Sequence, residues 1–287
     1  MSARLRALAR ETEEIVAAGR YTAPDGRTVP LAEQLAAALA GTRLHGPEPV
    51  PVSPDTDRTT TLQVTGESSL AAARRMLLAA AGAPVAVLNF ASARNPGGGY
   101  LNGAQAQEEV LCRSSALHAT LLRAPEYYEH HRAERSEMGA PAGGRGRDAF
   151  YSDRVIHSPG VPVFRDDRGH LLDEPFTVGF LTSPAPNAGV IRRRTPELAD
   201  RVPAALASRA ERVLETAAAH GYRRLVLGAW GCGVFQNDPA RVAGTFKALL
   251  TGDGRFARHF DEIVFAILDR TRDQATLGAF RSVIGPS

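Results

Sequence analysis

Apolar and polar positions change period repeatedly along the chain, and the changes mark its elements. "ARLRALARETEEIVAA" (3–18) spaces apolar residues three and four apart and predicts an amphipathic helix. "YTAPDGRTVPL" (21–31) predicts a hairpin around Asp25-Gly26, followed by a helix over 31–40 and a proline-rich link, "HGPEPVPVSPDT". "TTTLQVT" (59–65) reads as a strand and "SSLAAARRMLLAAA" (68–81) as a helix. "PVAVLNFAS" (84–92) is apolar without alternation, as expected of a strand covered on both faces.

The same grammar recurs downstream. "QEEVLCRSSALHATLLR" predicts one helix with Val110, Ser114, Leu117 and Leu121 on a single stripe. The polar, Gly- and Arg-rich stretch 130–150, which holds His130 and His131, reads as an exposed loop. "RVIHSPGVPVFRD" and "FTVGFLTSPAPN" are strand-like, and 196–221 reads as a long helix ending at Gly221. "RRLVLGAWGCGVFQN" is a strand running into a glycine loop, followed by a helix over about 239–250, strand "EIVFAILD" and a last helix. Strands alternating with helices predict a three-layer α/β/α sandwich, with the ligand site at the carboxyl ends of the strands. Both glycine-rich loops directly follow apolar strands.

Composition narrows the class. The 287 residues are 44% hydrophobic and 23% charged, with a net charge of +3, which suits a globular chain with a sizeable core. The basic side chains are nearly all Arg, whose planar fork suits phosphate. No aromatic pattern interleaves them, so direct nucleic-acid binding is not expected. Cys112 and Cys232 stand far apart, which excludes a disulfide framework and fits a reducing cytoplasm. No stretch has the ~18–20 apolar residues that span a bilayer. The eight histidines show no tight ligand spacing, so neither metal nor cofactor is expected, and His118 and His157 read as satisfied core or surface histidines.

The chemistry concentrates in "NPGGGYLNGAQAQEEVLCRSS" (95–115). Gly97, Gly98 and Gly99 let backbone N–H groups face a shared concavity suited to phosphate oxygens, yet a flexible turn explains them equally well in isolation. Gln107, Glu108 and Glu109 fall in a helical first turn, where acids complement the dipole at about 0.3–1 kcal/mol each. The dipole favours the anion; a diphosphate alongside works the other way, because like charges disfavour a second anion. Gly231 and Gly233 offer a second cradle, and Phe235 is either core or a face for an adenine ring. Asn89, inside an apolar strand, either ties strand to loop or meets ligand hydroxyls.

Taken together, "LNFASARNPGGG", "QEE" and "GAWGCGVFQN" resemble the bacterial-type poly(ADP-ribose) glycohydrolases, macrodomain enzymes with a Gly-Gly-Gly, six to eight residues, Gln-Glu-Glu signature. The likeness covers most of the chain from about residue 60 to the C-terminus. It implies a macrodomain-like catalytic unit over 59–287 with a mixed central sheet, and an N-terminal helical accessory segment, 1–58. It also implies an exo-acting hydrolase that releases ADP-ribose from poly(ADP-ribose), a protein expected to be monomeric. Gly97–Gly99 would pass under the diphosphate and distal ribose. Glu109 would protonate the leaving oxygen, while Glu108 and Gln107 belong to the same signature and Glu108 would hold the adjoining ribose hydroxyls. Gly231, Gly233 and Val234 would cradle the diphosphate, Phe235 would stack on the adenine, and Asn89 would lie at the base of the ribose site. Ser92 stands where many relatives carry Asn, which shortens the reach toward a ribose. An ADP-ribose binder without catalysis shares the glycine loops but has no need of the acids; a mono-ADP-ribosyl hydrolase shares the fold.

Overall fold

The structure, a computed structural model, describes residues 2–80, 82–137 and 149–285. Helix α1 (Ala3–Ala18) ends at Gly19, whose φ of 63° lets its N–H reach back to Val16 O. The hairpin forms from β1 (Arg20–Thr22) and β2 (Thr28–Pro30), and α2 (Ala32–Gly41) leads into β3 (Arg43–His45). Next come β4 (Thr61–Thr65), α3 (Ser69–Ala79) and β5 (Val85–Phe90). After a single 3-10 turn at Tyr100–Asn102 the chain forms α4 (Gln107–Ser114), α5 (Leu117–Leu121) and α6 (Pro125–Glu137). The rest comprises β6 (Val155–Arg165), β7 (Leu171–Ser183), α7 (Ala188–Arg194), α8 (Val202–Ala219), β8 (Arg224–Leu227), α9 (Pro239–Leu250), β9 (Glu262–Ala266) and α10 (Ala275–Ile284).

Seven strands make one mixed sheet in the order β3-β6-β7-β5-β8-β9-β4. β6 is antiparallel to β3 and β7, whereas β7, β5, β8, β9 and β4 run parallel. The unbroken apolar run of β5 follows from its central position. Val85 and Val87 pack with Met76, Leu111 and Tyr127 on one face, and Ala86 and Leu88 pack with Val213, Trp230 and Phe246 on the other. Burying a side chain of that size contributes about 1.5–3 kcal/mol, so both faces bind helices firmly. The carboxyl ends of β5, β7, β8 and β9 converge on one edge, and the glycine loops leave from β5 and β8 there. Among the described residues no helix is long and apolar enough to cross a membrane.

Several sequence expectations need correction. The helix expected over 107–123 breaks at Ser115, which is extended (φ −149°, ψ 176°) and bridges to Val163 of β6. Its hydroxyl donates to Leu111 O at 2.7 Å and accepts from Leu117 N, offering the backbone an alternative to helix. The loop expected over 130–150 is helical through Glu137; residues 138–148 lie outside the described set. His131 is accordingly buried in α6, donating from Nδ1 to Tyr127 O at 2.8 Å while Nε2 accepts from Ser152 N. The long helix expected from 196 begins at Val202, after a 3-10 turn over Pro196–Arg201; Pro203, with no N–H to give, suits a first turn.

Candidate active site

The glycine loop is fixed by what lies behind it. Gly97 and Gly98 have φ of 67° and 60°, a region that L side chains avoid. A Cβ on Gly98 would lie 2.5 Å from Glu109 Oε1 and 3.2 Å from Glu108 Oε2. The backbone therefore rests directly on both carboxylates, closer than any side chain allows.

Those carboxylates are held separately. Glu109, in the first turn of α4, accepts at Oε1 from Gly99 N and at Oε2 from Ala106 N, both at 3.0 Å. One acid thus ties the helix start to the glycine loop. Glu108 lies deeper, 3% exposed against 9% for Glu109. It accepts from Ser92 N at 2.7 Å and from Asn89 Nδ2 at 3.2 Å. Burial pushes Glu108 up to about 8, against those two hydrogen bonds, which favour its anion. Asn89 also donates to Thr182 Oγ1, and its buried Oδ1 has no hydrogen-bond partner. Gln107 turns back toward the fold: its Oε1 accepts from Phe90 N, and its Nε2 donates to Leu88 O and Ser69 Oγ.

The second loop forms the facing wall. Trp230 Nε1 donates to Ser183 O at 3.0 Å, anchoring the loop to β7. Gly231 (φ 69°) is packed so tightly that a Cβ would meet Asn237 Nδ2 at 2.5 Å and Ala185 Cβ at 2.6 Å. At Gly233 nothing lies within 4 Å, so packing makes no demand for glycine there. Val234 is 82% exposed at the rim. Phe235, half-buried, faces Tyr151 with ring centroids 5.8 Å apart and planes tilted by 39°.

Between the walls lies a cleft of about 590 Å³, lined by residues that include Ser92, Asn95, Glu108, Glu109, Tyr151 and Phe235. A neighbouring cleft of about 390 Å³ shares Phe90, Gln105, Gln107 and Gly233 with it. Asn89 and the three loop glycines back the acids instead of lining this space. Ser92 serves through its backbone, and its hydroxyl accepts from Asn95 N at 3.2 Å. Sequence reasoning missed Tyr151. It adopts a positive φ of 58°, as does Gln236 beside Phe235 at 56°, a conformation that costs energy outside glycine. Among the described residues no His, Cys, Asp and Glu cluster is arranged to hold a metal ion.

Comparison with known proteins gives this arrangement a context. The model of the microbial-type PARG catalytic domain matches residues 9–166. No curated protein matches the chain. Among solved structures, the chain is similar to poly(ADP-ribose) glycohydrolase from Thermomonospora curvata bound to the inhibitor ADP-HPD. That likeness has 51% identity and a TM-score of 0.87 over 98% of this chain and 99% of the other. It is also similar to the Deinococcus radiodurans enzyme in complex with ADP-ribose, with 46% identity and a TM-score of 0.78 over 89% and 98% of the two chains. With paired acids backed by a glycine loop, and a likeness that runs nearly end to end, the chain belongs to the microbial-type poly(ADP-ribose) glycohydrolase family.

Proposed function

We propose that the chain is an exo-acting poly(ADP-ribose) glycohydrolase with Glu109 as general acid, built as a macrodomain-like unit (59–287) braced by an accessory segment (1–58). The observation that carries the assignment is the setting of the two acids. Glu109 is the more open, lines the cleft, and has both oxygens fixed by backbone N–H groups. Glu108 is held below it by Asn89 and Ser92, where burial favours its neutral form.

In this reading the diphosphate lies over Gly231, Gly233 and Val234, and Phe235 offers its face to the adenine. Glu108 holds the hydroxyls of the adjoining ribose, and Asn89, whose Oδ1 is unpaired, lies at the base of the ribose site. Glu109 gives its proton to O2′ of the adjoining ribose as the C1″–O2′ bond breaks. The distal ribose passes through an oxocarbenium-like state, stabilised by the diphosphate, and water captures C1″ and returns a proton to Glu109. The inhibitor ADP-HPD held by one relative and the ADP-ribose held by the other support this reading.

Incubation with auto-modified polymer tests the proposal. The unmutated protein should release free ADP-ribose, and Glu109→Gln should lower the rate about 10²–10⁴-fold, the usual range for a positioned acid. Equal release by both proteins removes Glu109 from its role; no release by either removes the activity.

A further inference from the structure

We infer that Glu13, on α1, is a positioning residue that holds the glycine loop in register with Glu109; this rests on the functional reading above. Tyr100 follows Gly99 directly and is buried, so its hydroxyl needs a partner. It donates to Glu13 Oε1 and lies 3.3 Å from Ala9 O. The same oxygen of Glu13 meets His118 Nδ1 at 3.0 Å, and the Tyr100 and His118 rings pack with centroids 5.0 Å apart. One carboxylate oxygen thus joins the loop to α5.

The loop rests on this joint. A Cβ on Gly97 would lie 3.2 Å from His118 Cδ2 and 3.5 Å from Tyr100 Cδ1. The far end of the loop also meets α1: at Gly103 a Cβ would lie 2.7 Å from Ser2 O and 3.1 Å from Arg6 Cγ. Beneath it, Thr12 Oγ1 donates to Arg113 O at 2.8 Å, and Arg113 Nη1 donates to Ala104 O at 2.7 Å. The path from α1 to the acid is short: Glu13 fixes Tyr100, Tyr100 is joined by its peptide to Gly99, and Gly99 N holds Glu109 Oε1.

Packing alone does not call for a carboxylate here, since the Glu13 side chain is 41% exposed. Burial pushes its carboxyl up, but the hydrogen bonds from His118 and Tyr100 outweigh this and hold it below the ordinary range. Burial and Glu13 together push the Tyr100 hydroxyl far up, so it remains a donor.

The test compares Glu13→Ala, Glu13→Gln and Tyr100→Phe with the unmutated protein. In Glu13→Ala, hydrogen–deuterium exchange in peptides spanning 97–103 should quicken about tenfold, while β5 and β8 stay protected. Turnover of polymer should fall roughly ten- to a hundredfold with KM within about threefold, the mark of a displaced catalytic group. Tyr100→Phe should match it, the double variant should be no worse, and Glu13→Gln, which keeps an acceptor, should recover most of the turnover. Unchanged loop exchange with unchanged kcat, or a lowered Tm with full kcat, overturns the inference. Should Glu13→Ala not fold, full turnover in Tyr100→Phe overturns it. Should the unmutated protein release no ADP-ribose, the functional reading falls, and the exchange comparison alone decides the positioning role.

Discussion

Gly98→Ala isolates the contact between loop and acid. The substitution keeps the residue small but places a methyl group where φ is 60° and Glu109 Oε1 is 2.5 Å away. The left-handed backbone costs an L residue about 1–2 kcal/mol. Ordinary contact begins at 3.4 Å, so the Glu109 oxygen must retreat by roughly 1 Å, which breaks its 3.0 Å hydrogen bond from Gly99 N. A displacement of that size at a reacting group costs about a hundredfold in rate. The expected variant melts a few degrees lower and turns over polymer about a hundredfold more slowly, read by ADP-ribose release under saturating substrate. Gly221→Ala supplies the control: its φ is 76° and nothing lies within 4 Å, so the same backbone cost arises without a clash. It should lose comparable stability and keep its rate. Full turnover in Gly98→Ala, or an equal rate loss in Gly221→Ala, refutes the reasoning.

Two further predictions concern pH. Because burial raises Glu108 from 4.5 to about 8, the fold binds its proton more tightly than the unfolded chain does. That contribution is complete below about 4.5 and is lost as pH rises through about 8. Urea midpoints of the ligand-free protein should fall over that window less steeply in Glu108→Gln; an identical slope counts against a buried proton there. His157 behaves oppositely: burial, with His220 stacked at 3.7 Å and His45 nearby, lowers it to about 3, and its Nε2 lies 3.0 Å from Tyr222 Oη. Its contribution is complete above about 6.5 and is lost as pH drops toward 3, so His157→Gln should flatten the acid limb of the stability curve.

The parts of the fold legible in sequence were those whose signal is local. The unbroken apolar run of β5 announces cover on both faces, and the three- and four-residue apolar spacing over 3–18 marks α1 because only local periodicity matters there. The break at Ser115 was not legible, since it depends on a bridge to Val163, nearly fifty residues away in the chain. Nor was the helical stretch 130–137, whose polar sequence gives no sign that His131 is buried and tied to Ser152. At the site, glycines after strand ends and acids in a first turn point to one edge of the sheet. Which acid lies deeper depends on Asn89 and Ser92, and no spacing states it. Tyr151 and Glu13 carry no local mark at all; only the folded chain brings Tyr151 to Phe235 and Glu13 to Tyr100.

Trp230 is the chain's sole tryptophan, and it stands where the second glycine loop leaves β8, buried and fastened to Ser183 O. Every photon of indole emission from this protein therefore originates in one wall of the cleft. Intrinsic fluorescence needs no label and no correction for distant indoles, so a titration read at this indole reports on that wall alone.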